Sequence, residues 1–381
     1  MSLVFNNENE ANDPGIHVLI IGVGGYRYMD GGEEQKDQNY EAIGILKQLT
    51  SPPKSALAFR DYLIRQDADQ RLSVPLGTID LLVSPSPEDP EPGEAAESFE
   101  RATLGNIMSA YSRWRTLCDN NAQNIALFFF SGHGVEKDDH YLLAEDFGMN
   151  PMNPWMGSFA FDKTRKAFHG CQCETQIFLV DSCREVTPSM LTRDITAVPL
   201  ETPNYLDSEC KHDLTMKASA RNEKALGKKR QPSYFTQAII KALDGDAASR
   251  DGSQWVVKTS DIGAHINQIM KSVKSSEGYS QRCTYSSGES KVILQYDEAP
   301  TVTLEVACES DHATAMAEFQ CKEINGQFDR VRSPARPSPW KLPVKAGFYS
   351  LSATFNDPDY EDVNEQFSFV QPPYTFERLS R

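Results

Sequence analysis

The sequence predicts an α/β protein in which a mostly parallel sheet carries helices on both faces and a small all-β sandwich follows at the C-terminus. Apolar, β-branched runs alternate with amphipathic segments through the first two thirds of the 381 residues, which is the pattern of parallel strands joined by helical crossovers. Beyond Asp297 the pattern changes to period-2 strands split by turn residues, with no predicted helix between them. These observations predict two domains, residues 1–298 and residues 299–381.

The strands of the first domain are visible as short apolar runs that end in turn residues. The run IHVLIIGV at 16–23 is mostly apolar and β-branched, as expected for a strand buried on both faces. Similar runs predict further strands at 78–84, 124–134, 175–183 and 289–296. Apolar residues at helical spacing predict helices at 55–66, 103–118, 161–170, 233–245 and 259–273.

Two long polar segments interrupt this alternation. Residues 85–98 are acidic and rich in proline, which predicts a solvated loop. Residues 184–231 are polar and show no strong helical periodicity before Met216. Loops of such length inside a compact domain are usually functional or disordered, so a regulatory role for this segment and a plain surface excursion both stay open.

The C-terminal module is predicted from four alternating segments, at 301–308, 315–324, 348–355 and 365–371. The segment WKLPVKAGFY at 340–349 resembles the turn of transthyretin-like small sandwiches. That resemblance implies a module that binds partners or docks on the catalytic domain. No group of cysteines, histidines or paired acids suggests chemistry of its own.

Composition excludes several classes of function. Against 38 Lys and Arg residues the chain has 54 Asp and Glu residues, a net charge of −16. Such a surface repels phosphate backbones and anionic lipids, so neither nucleic acid nor a membrane is an expected partner. No apolar run approaches the roughly 20 residues of a membrane helix. The N-terminus lacks the features of a secretory signal, which predicts a cytoplasmic protein with its eight cysteines reduced.

No cofactor or metal is predicted. The group His169-Gly-Cys171-Gln-Cys173 has no second ligand pair at zinc spacing and is interpreted as a connector. Asp138-Asp139 and the acidic loop from Glu88 to Glu97 lack EF-hand spacing and are interpreted as solvated faces. The glycines at 22–25 lack the third glycine of a dinucleotide fingerprint.

Reactive side chains stand at the ends of two predicted strands. FFFSGHG places His133 at one strand end, and FLVDSC places Cys183 at another, 50 residues later. Adjacent parallel strands would bring these ends together, and a thiol needs a base such as histidine to become a thiolate at neutral pH. The backbone N–H groups of Gly134 and Cys183 are candidate donors to an oxyanion. Taken singly, such a Cys or His is more often a plain structural residue.

At these motifs the chain resembles the caspase-like cysteine peptidases, a family that includes metacaspases and their bacterial relatives. The resemblance rests on FSGHG at 130–134, YLL at 141–143 with Asp146 behind it, and VDSCR at 180–184. Residues 217–244 support it, since they resemble the family's small-subunit strand, loop and helix containing Phe-Thr. It covers about residues 16–296 and implies that Cys183 is the nucleophile and His133 the general base, later the acid. No third member of a triad is implied.

The same resemblance implies cleavage after Arg or Lys, with Asp181 and Ser131 in the pocket that binds the residue before the cut, P1. A buried carboxylate selects a cationic side chain by charge and hydrogen bonding. The family's Asn-Asp-Ala at the start of the first helix is replaced here by Lys54-Ser55-Ala56, so the second acid is missing. An alternative is cleavage after Asp, with Arg27 as the binding residue.

The resemblance implies protein substrates and regulated proteolysis, such as bacterial antiviral defence or programmed cell death. It also implies an activating protease or regulatory partner that acts on 184–231, whose basic residues an Arg/Lys-specific enzyme could cut in itself. A catalytically silent scaffold that binds partners through its β-module is the rival hypothesis, against which the presence of both Cys183 and His133 argues.

Overall fold

The structure is a computed structural model that describes residues 2–7, 13–38, 46–93, 99–184, 194–204, 210–219, 227–277, 281–324 and 326–380, with the backbone alone at 271–277. Its central sheet has seven strands in the order β1-β3-β2-β4-β8-β9-β12. Their bounds are β1 Leu3–Asn6, β2 Ile16–Val23, β3 Leu76–Ser84, β4 Ile125–Gly132, β8 Thr175–Ser182, β9 His212–Lys217 and β12 Thr284–Ser287. The five inner strands run parallel and the two outer ones antiparallel. The predicted α/β class is confirmed.

Helices cover both faces of this sheet, as the alternation of apolar runs predicts. Along β2, Val18 and Ile20 belong to one apolar core, and Leu19 and Ile21 belong to the other. The helices of this part are α1 Ser51–Ala68, α2 Leu104–Cys118, α3 Phe161–Phe168, α4 Tyr234–Lys241 and α5 Thr259–Glu277. The first core holds side chains of α1, α4 and α5, and the second holds those of α2 and α3.

Large aromatic side chains anchor the helices because they bury the most apolar area. Phe59 of α1 stacks on Phe129 of β4 at 4.8 Å between ring centroids. Trp114 of α2 stacks on Phe168 of α3 at 4.4 Å. The start of α2 is fixed by Thr103, whose hydroxyl accepts the Asn106 N–H at 3.3 Å.

Two small sheets lie beside the central one. The first joins β5 Gly134–Glu136, β6 His140–Leu143 and β7 Ser158–Ala160, directly after His133. The second joins β10 Ala248–Asp251, β11 Gln254–Lys258 and β13 Val292–Tyr296. A 3₁₀ turn at Pro154–Gly157 and a π turn at Ala242–Asp246 complete this part.

The polar segment 184–231 contains a strand, which lies just before the position that the family resemblance implies. Residues His212–Lys217 form β9, which pairs in parallel with β8 and buries Leu214 and Met216. Two of the polar side chains of β9 have partners on α3: Lys217 with Asp162, and Asp213 with Arg165. Residues 185–193, 205–209 and 220–226 of the segment lie outside the described residues.

The C-terminal residues form two small sheets whose buried apolar side chains belong to one hydrophobic core, as expected for a sandwich. One has the order β17-β14-β20 and the other β16-β15-β18-β19. The strands are β14 Thr301–Cys308, β15 Ala317–Glu323, β16 Asp329–Arg332, β17 Trp340–Lys345, β18 Gly347–Phe355, β19 Val363–Val370 and β20 Tyr374–Leu379. Pairing is antiparallel except for β14 with β20.

The expectation of no helix in this module is wrong at α6, Asp311–Met316. Ser310 starts that helix, since its hydroxyl accepts the Ala313 N–H at 3.0 Å. A helix of six residues is too short to show a helical period in the sequence. Within the described residues, no helix is long and apolar enough to cross a bilayer.

Candidate active site

The two strand ends that carry His133 and Cys183 lie side by side. Strands β4 and β8 pair in parallel, with Ser131 opposite Asp181 and Gly132 opposite Ser182. His133 and Cys183 are the next residues of the two chains, at the carboxyl edge of the sheet. Both line one cavity of about 260 Å³. The edge of a parallel sheet where strands end is the usual position of a functional site.

His133 is held in place by its own backbone and by one ring nitrogen. Its backbone N–H donates to the Tyr26 hydroxyl at 2.6 Å, and its ring lies 4.9 Å from the Tyr26 ring. Its Nε2 lies 2.7 Å from the carbonyl oxygen of Lys47. Because a carbonyl only accepts hydrogen bonds, Nε2 carries the proton and Nδ1 is the basic nitrogen.

Burial lowers the pKa of His133 below its usual value, an effect that the Lys47 carbonyl opposes. The imidazole is therefore neutral at neutral pH, which is the form that accepts a proton. Sequence reasoning missed the role of Lys47 because a backbone carbonyl has no signature in residue type. It also missed Tyr26, which is fully buried 107 residues away along the chain.

The chain on either side of Cys183 is tightly fixed. The half-buried thiol follows Ser182, which is buried, and precedes Arg184, which is also buried and forms an ion pair with Glu136 of β5. Arg184 also donates to the Ser219 carbonyl and to the Thr284 hydroxyl, each at 3.0 Å. These contacts tie the loop after β8 to three other segments, so the nucleophile candidate has a defined position.

Gly134 packs against the same turn. A Cβ built on Gly134 would lie 2.6 Å from Ser182 Oγ and 2.8 Å from the Cys183 carbonyl oxygen. Only glycine lets β5 approach this closely. The two predicted oxyanion donors, the backbone amides of Gly134 and Cys183, thus belong to segments in direct contact.

Asp181 lies at the floor of the cavity and is 4% exposed. Its Oδ2 accepts hydrogen bonds from Ser131 at 3.2 Å, from Thr236 at 3.0 Å and from Ser233. Burial raises the pKa of Asp181, whereas the three hydroxyl groups act in the opposite direction. Ser233 and Thr236 were not predicted as site residues; their signal is the capping pattern of α4, where Ser233 accepts the Thr236 N–H at 3.0 Å.

The residues that replace the family's acid at the start of α1 have other contacts. Ser55 is buried, and its hydroxyl accepts the Ser233 N–H at 3.0 Å. Lys54 reaches the opposite loop, where its Nζ lies 3.3 Å from Asp89 and donates to the Glu91 carbonyl at 2.9 Å. Glu88 of that loop lines the cavity together with Asp181. A second carboxylate is therefore present, from a different loop.

Two of the acidic residues predicted to lie on solvated faces, Asp89 and Asp139, are buried. Asp89 is buried and paired with Lys54. Asp139 is also buried and begins α3, since it accepts the N–H groups of Asp162 at 2.8 Å and Lys163 at 3.2 Å. Both corrections have one cause, because each carboxylate has a partner distant in sequence. Residues 94–98 of the acidic loop lie outside the described residues.

The remaining candidates lie away from this cavity. Arg27 is exposed, pairs with Glu34 at 2.7 Å and lines a separate cavity of about 110 Å³. Cys171 and Cys173 have their sulfur atoms 3.4 Å apart in the connector before β8. Among the residues that the structure describes, no three His, Cys, Asp or Glu side chains are arranged to hold a metal ion.

Comparison with known proteins gives one match to a family. The family model described as "Caspase domain" matches residues 40–294, which include His133, Asp181 and Cys183. A curated relative, the uncharacterized protein y4kE of Sinorhizobium fredii, is 25% identical over 215 residues, or 54% of this chain. The match spans only 60% of that relative's length.

Two solved structures are similar at low identity. The protein GSU0716 of Geobacter sulfurreducens is 13% identical, with a TM-score of 0.42 and coverage of 72% of this chain and 94% of that one. Caspase-1 of Spodoptera frugiperda is 10% identical, with a TM-score of 0.41 and coverage of 76% and 94%.

Proposed function

Because the chain belongs to the caspase domain family, we propose that it is a cysteine endopeptidase in which Cys183 is the nucleophile and His133 the general base. The observation that supports this most is that both side chains line one cavity while Lys47 leaves His133 Nδ1 as the basic nitrogen. A neutral imidazole beside a thiol is the arrangement that activates the sulfur.

The reaction proceeds by acyl transfer. His133 Nδ1 takes the Cys183 proton, and the thiolate attacks the scissile carbonyl carbon. The backbone N–H groups of Gly134 and Cys183 bind the resulting oxyanion, and each of these hydrogen bonds raises the rate by about 10²–10³-fold. The imidazolium then gives its proton to the leaving amine, the C–N bond breaks, and the acyl group stays bound to Cys183 as a thioester. Water, deprotonated by His133, attacks that thioester and releases the acid product and the free thiol.

The proposed P1 residue is Arg or Lys. Asp181 at the cavity floor supplies a carboxylate, and Ser131 and Ser233 supply hydroxyl groups beside it. A bound cation stabilises the ionised carboxylate, which offsets the effect of burial on the Asp181 pKa. Glu88 adds negative charge at the same cavity. The Asp-P1 alternative finds no support in the position of Arg27.

Active-site labelling tests the proposed function. A peptidyl acyloxymethyl ketone with Arg at P1 should label the wild type and fail on Cys183→Ala and His133→Ala. Cys210→Ala is the matched control, since Cys210 is the other half-buried thiol. Equal labelling of Cys183→Ala, or none of the wild type, would favour the silent scaffold.

Control by the segment 184–231 belongs to the same proposal. The run Lys228-Lys229-Arg230 is exposed, and Lys229 lines the cavity. Arg184 and Lys217 are poor cutting sites because both are held in ion pairs. Arg193, Arg221 and Lys224 lie outside the described residues. Intact-mass analysis should find new termini after Lys or Arg in the wild type and none in Cys183→Ala. A fully active single chain would contradict self-processing.

The proposed partners are protein substrates and an activating protease or regulatory protein. Bacterial antiviral defence and cell death remain expectations that come from the resemblance to bacterial relatives.

A further inference from the structure

A second histidine lies directly behind the nucleophile. His140 begins β6 and is 0% exposed. Its Nε2 lies 3.0 Å from Ser182 Oγ and 3.3 Å from the carbonyl oxygen of Cys183. It is not among the residues that line the cavity of His133 and Cys183, so it does not meet a substrate there.

The contacts of His140 determine its protonation. Burial, with the charge of Lys217 as a smaller cause, lowers the pKa of His140 to about 3, so the ring is neutral. The Cys183 carbonyl can only accept, and the Ser182 hydroxyl can accept as well as donate, so both contacts of Nε2 are satisfied when the single ring proton is on Nε2. Nδ1 is then an acceptor, and it has no hydrogen-bond partner in the described part of the chain. Buried acceptors without a partner are tolerated better than buried N–H donors.

This hydrogen bond joins the two segments that carry the oxyanion donors. His140 pairs with Glu136 across the β5–β6 hairpin, which begins at Gly134. A Cβ on Gly134 would lie 2.8 Å from His140 Nε2 and 2.8 Å from the Cys183 carbonyl oxygen. The hairpin and the loop after β8 therefore meet here, and two polar side chains of the hairpin bind across the contact: His140 to the Cys183 carbonyl and Glu136 to Arg184.

We propose that His140 is a positioning residue for the peptidase reaction. By donating Nε2–H to the Cys183 carbonyl, it holds the main chain at Cys183 against Gly134, and through this residue it sets the spacing between the Cys183 N–H and the Gly134 N–H. This inference rests on the proposed function. Since an oxyanion forms only after attack, the effect of His140 falls on kcat and leaves KM and the thiol–imidazole pair unchanged.

Two variants of His140 and one neighbour separate positioning from plain stability. His140→Phe keeps a ring but loses the N–H; His140→Gln keeps a donor near the position of Nε2. Phe161→Leu is the matched control, because the Phe161 ring packs edge-on against His140 at 6.1 Å between centroids and donates no such hydrogen bond. Chemical denaturation compares the stability of all three variants with that of the wild type.

Three activity readouts follow from the role. His140→Phe should lose about 10²-fold in kcat, with KM within twofold of the wild-type value. It should also bind a peptide aldehyde more weakly by a similar factor, because the aldehyde forms an oxyanion when Cys183 adds to it. Alkylation of Cys183 by iodoacetamide, which needs a thiolate and no oxyanion, should keep its wild-type rate. His140→Gln should recover most of kcat, and Phe161→Leu should keep kcat despite its loss of stability.

The opposite results are equally distinct. An unchanged kcat in a folded His140→Phe protein, which has lost the hydrogen bond, would overturn the positioning role. Equal losses of kcat in Phe161→Leu and His140→Phe at equal stability would reduce His140 to a packing residue. A wild type that neither hydrolyses peptides nor reacts with the ketone probe would instead refute the proposed function, and the positioning role would fall with it.

Discussion

Replacing Gly134 by alanine adds a methyl group that would clash with three polar atoms. The added carbon would lie 2.6 Å from Ser182 Oγ, 2.8 Å from the Cys183 carbonyl oxygen and 2.8 Å from His140 Nε2. Ordinary contacts of a Cβ begin at 3.4 Å, so the neighbours or the β5 backbone must move by about 0.6–0.8 Å. None of the three atoms is the free end of a flexible side chain, because each is buried or part of the backbone.

The size of the effect follows from that displacement. Gly134→Ala retains the backbone N–H but moves it relative to Cys183. A misplacement of about 1 Å costs about 10²-fold in rate, so we expect kcat to fall by roughly 30- to 100-fold, with KM changing less. Overpacking of a buried site should also lower the free energy of unfolding by about 1–3 kcal/mol.

Steady-state kinetics with an Arg-P1 peptide and urea denaturation measure both effects. Gly105→Ala is the control, since a Cβ on Gly105 near the start of α2 meets nothing within 4 Å. That variant should keep kcat and become up to about 1 kcal/mol more stable. If Gly134→Ala keeps full kcat, the placement of Gly134 against the Cys183 turn is wrong.

Four further predictions concern specificity, pH and the module. Asp181→Asn should lose most of the preference for Arg and Lys over neutral P1 residues in a peptide library. The acidic limb of kcat/KM should fall below pH 6.5, because burial lowers the pKa of the general base His133. The pKa of His17 is lowered to about 4 in the folded state, so the unfolded state binds a proton first as the pH falls. The free energy of unfolding should therefore fall by up to about 3 kcal/mol between pH 6.5 and pH 4. In urea titrations, His17→Gln should reduce this dependence on pH. Truncation before residue 299 should leave peptide hydrolysis intact.

Each of these has a contrary outcome. A pH dependence of stability that is the same in His17→Gln and in the wild type would mean that His17 does not cause the slope. Unaltered P1 selectivity in Asp181→Asn would transfer the role to Glu88. An acidic limb above pH 6.5 would mean that His133 is not the base. A soluble but inactive truncated protein would show that the module completes the catalytic domain.

Local patterns in the sequence predict the central sheet well. The run at 16–23 forms a strand with the same bounds, Ile16–Val23, because strands buried on both faces are almost wholly apolar. The local pattern does not predict strand β9 because four of its six residues are polar, and two of these, Asp213 and Lys217, have partners on α3 that are distant in sequence. Its burial is a property of the tertiary structure and has no local signal.

The same division applies to the candidate site. His133 and Cys183 are visible in the sequence because each is a reactive residue at the end of an apolar run. Lys47, Tyr26 and Ser233 are not, since they contribute a carbonyl and two hydroxyl groups through contacts between residues 52 to 107 positions apart. Hydrogen bonds at that separation depend on the folded chain alone.

The pairing of β4 with β8 has a consequence for how this protein tolerates change. Phe129 packs in one core and Phe128 and Phe130 in the other, and Leu179 and Val180 of β8 divide in the same way. A slip of one residue would exchange the two faces and bury each side chain in the wrong layer. Core packing therefore sets the register of β4 against β8, and with it the relative position of the His133 imidazole and the Cys183 thiol. A one-residue insertion in either strand should remove activity and stability together.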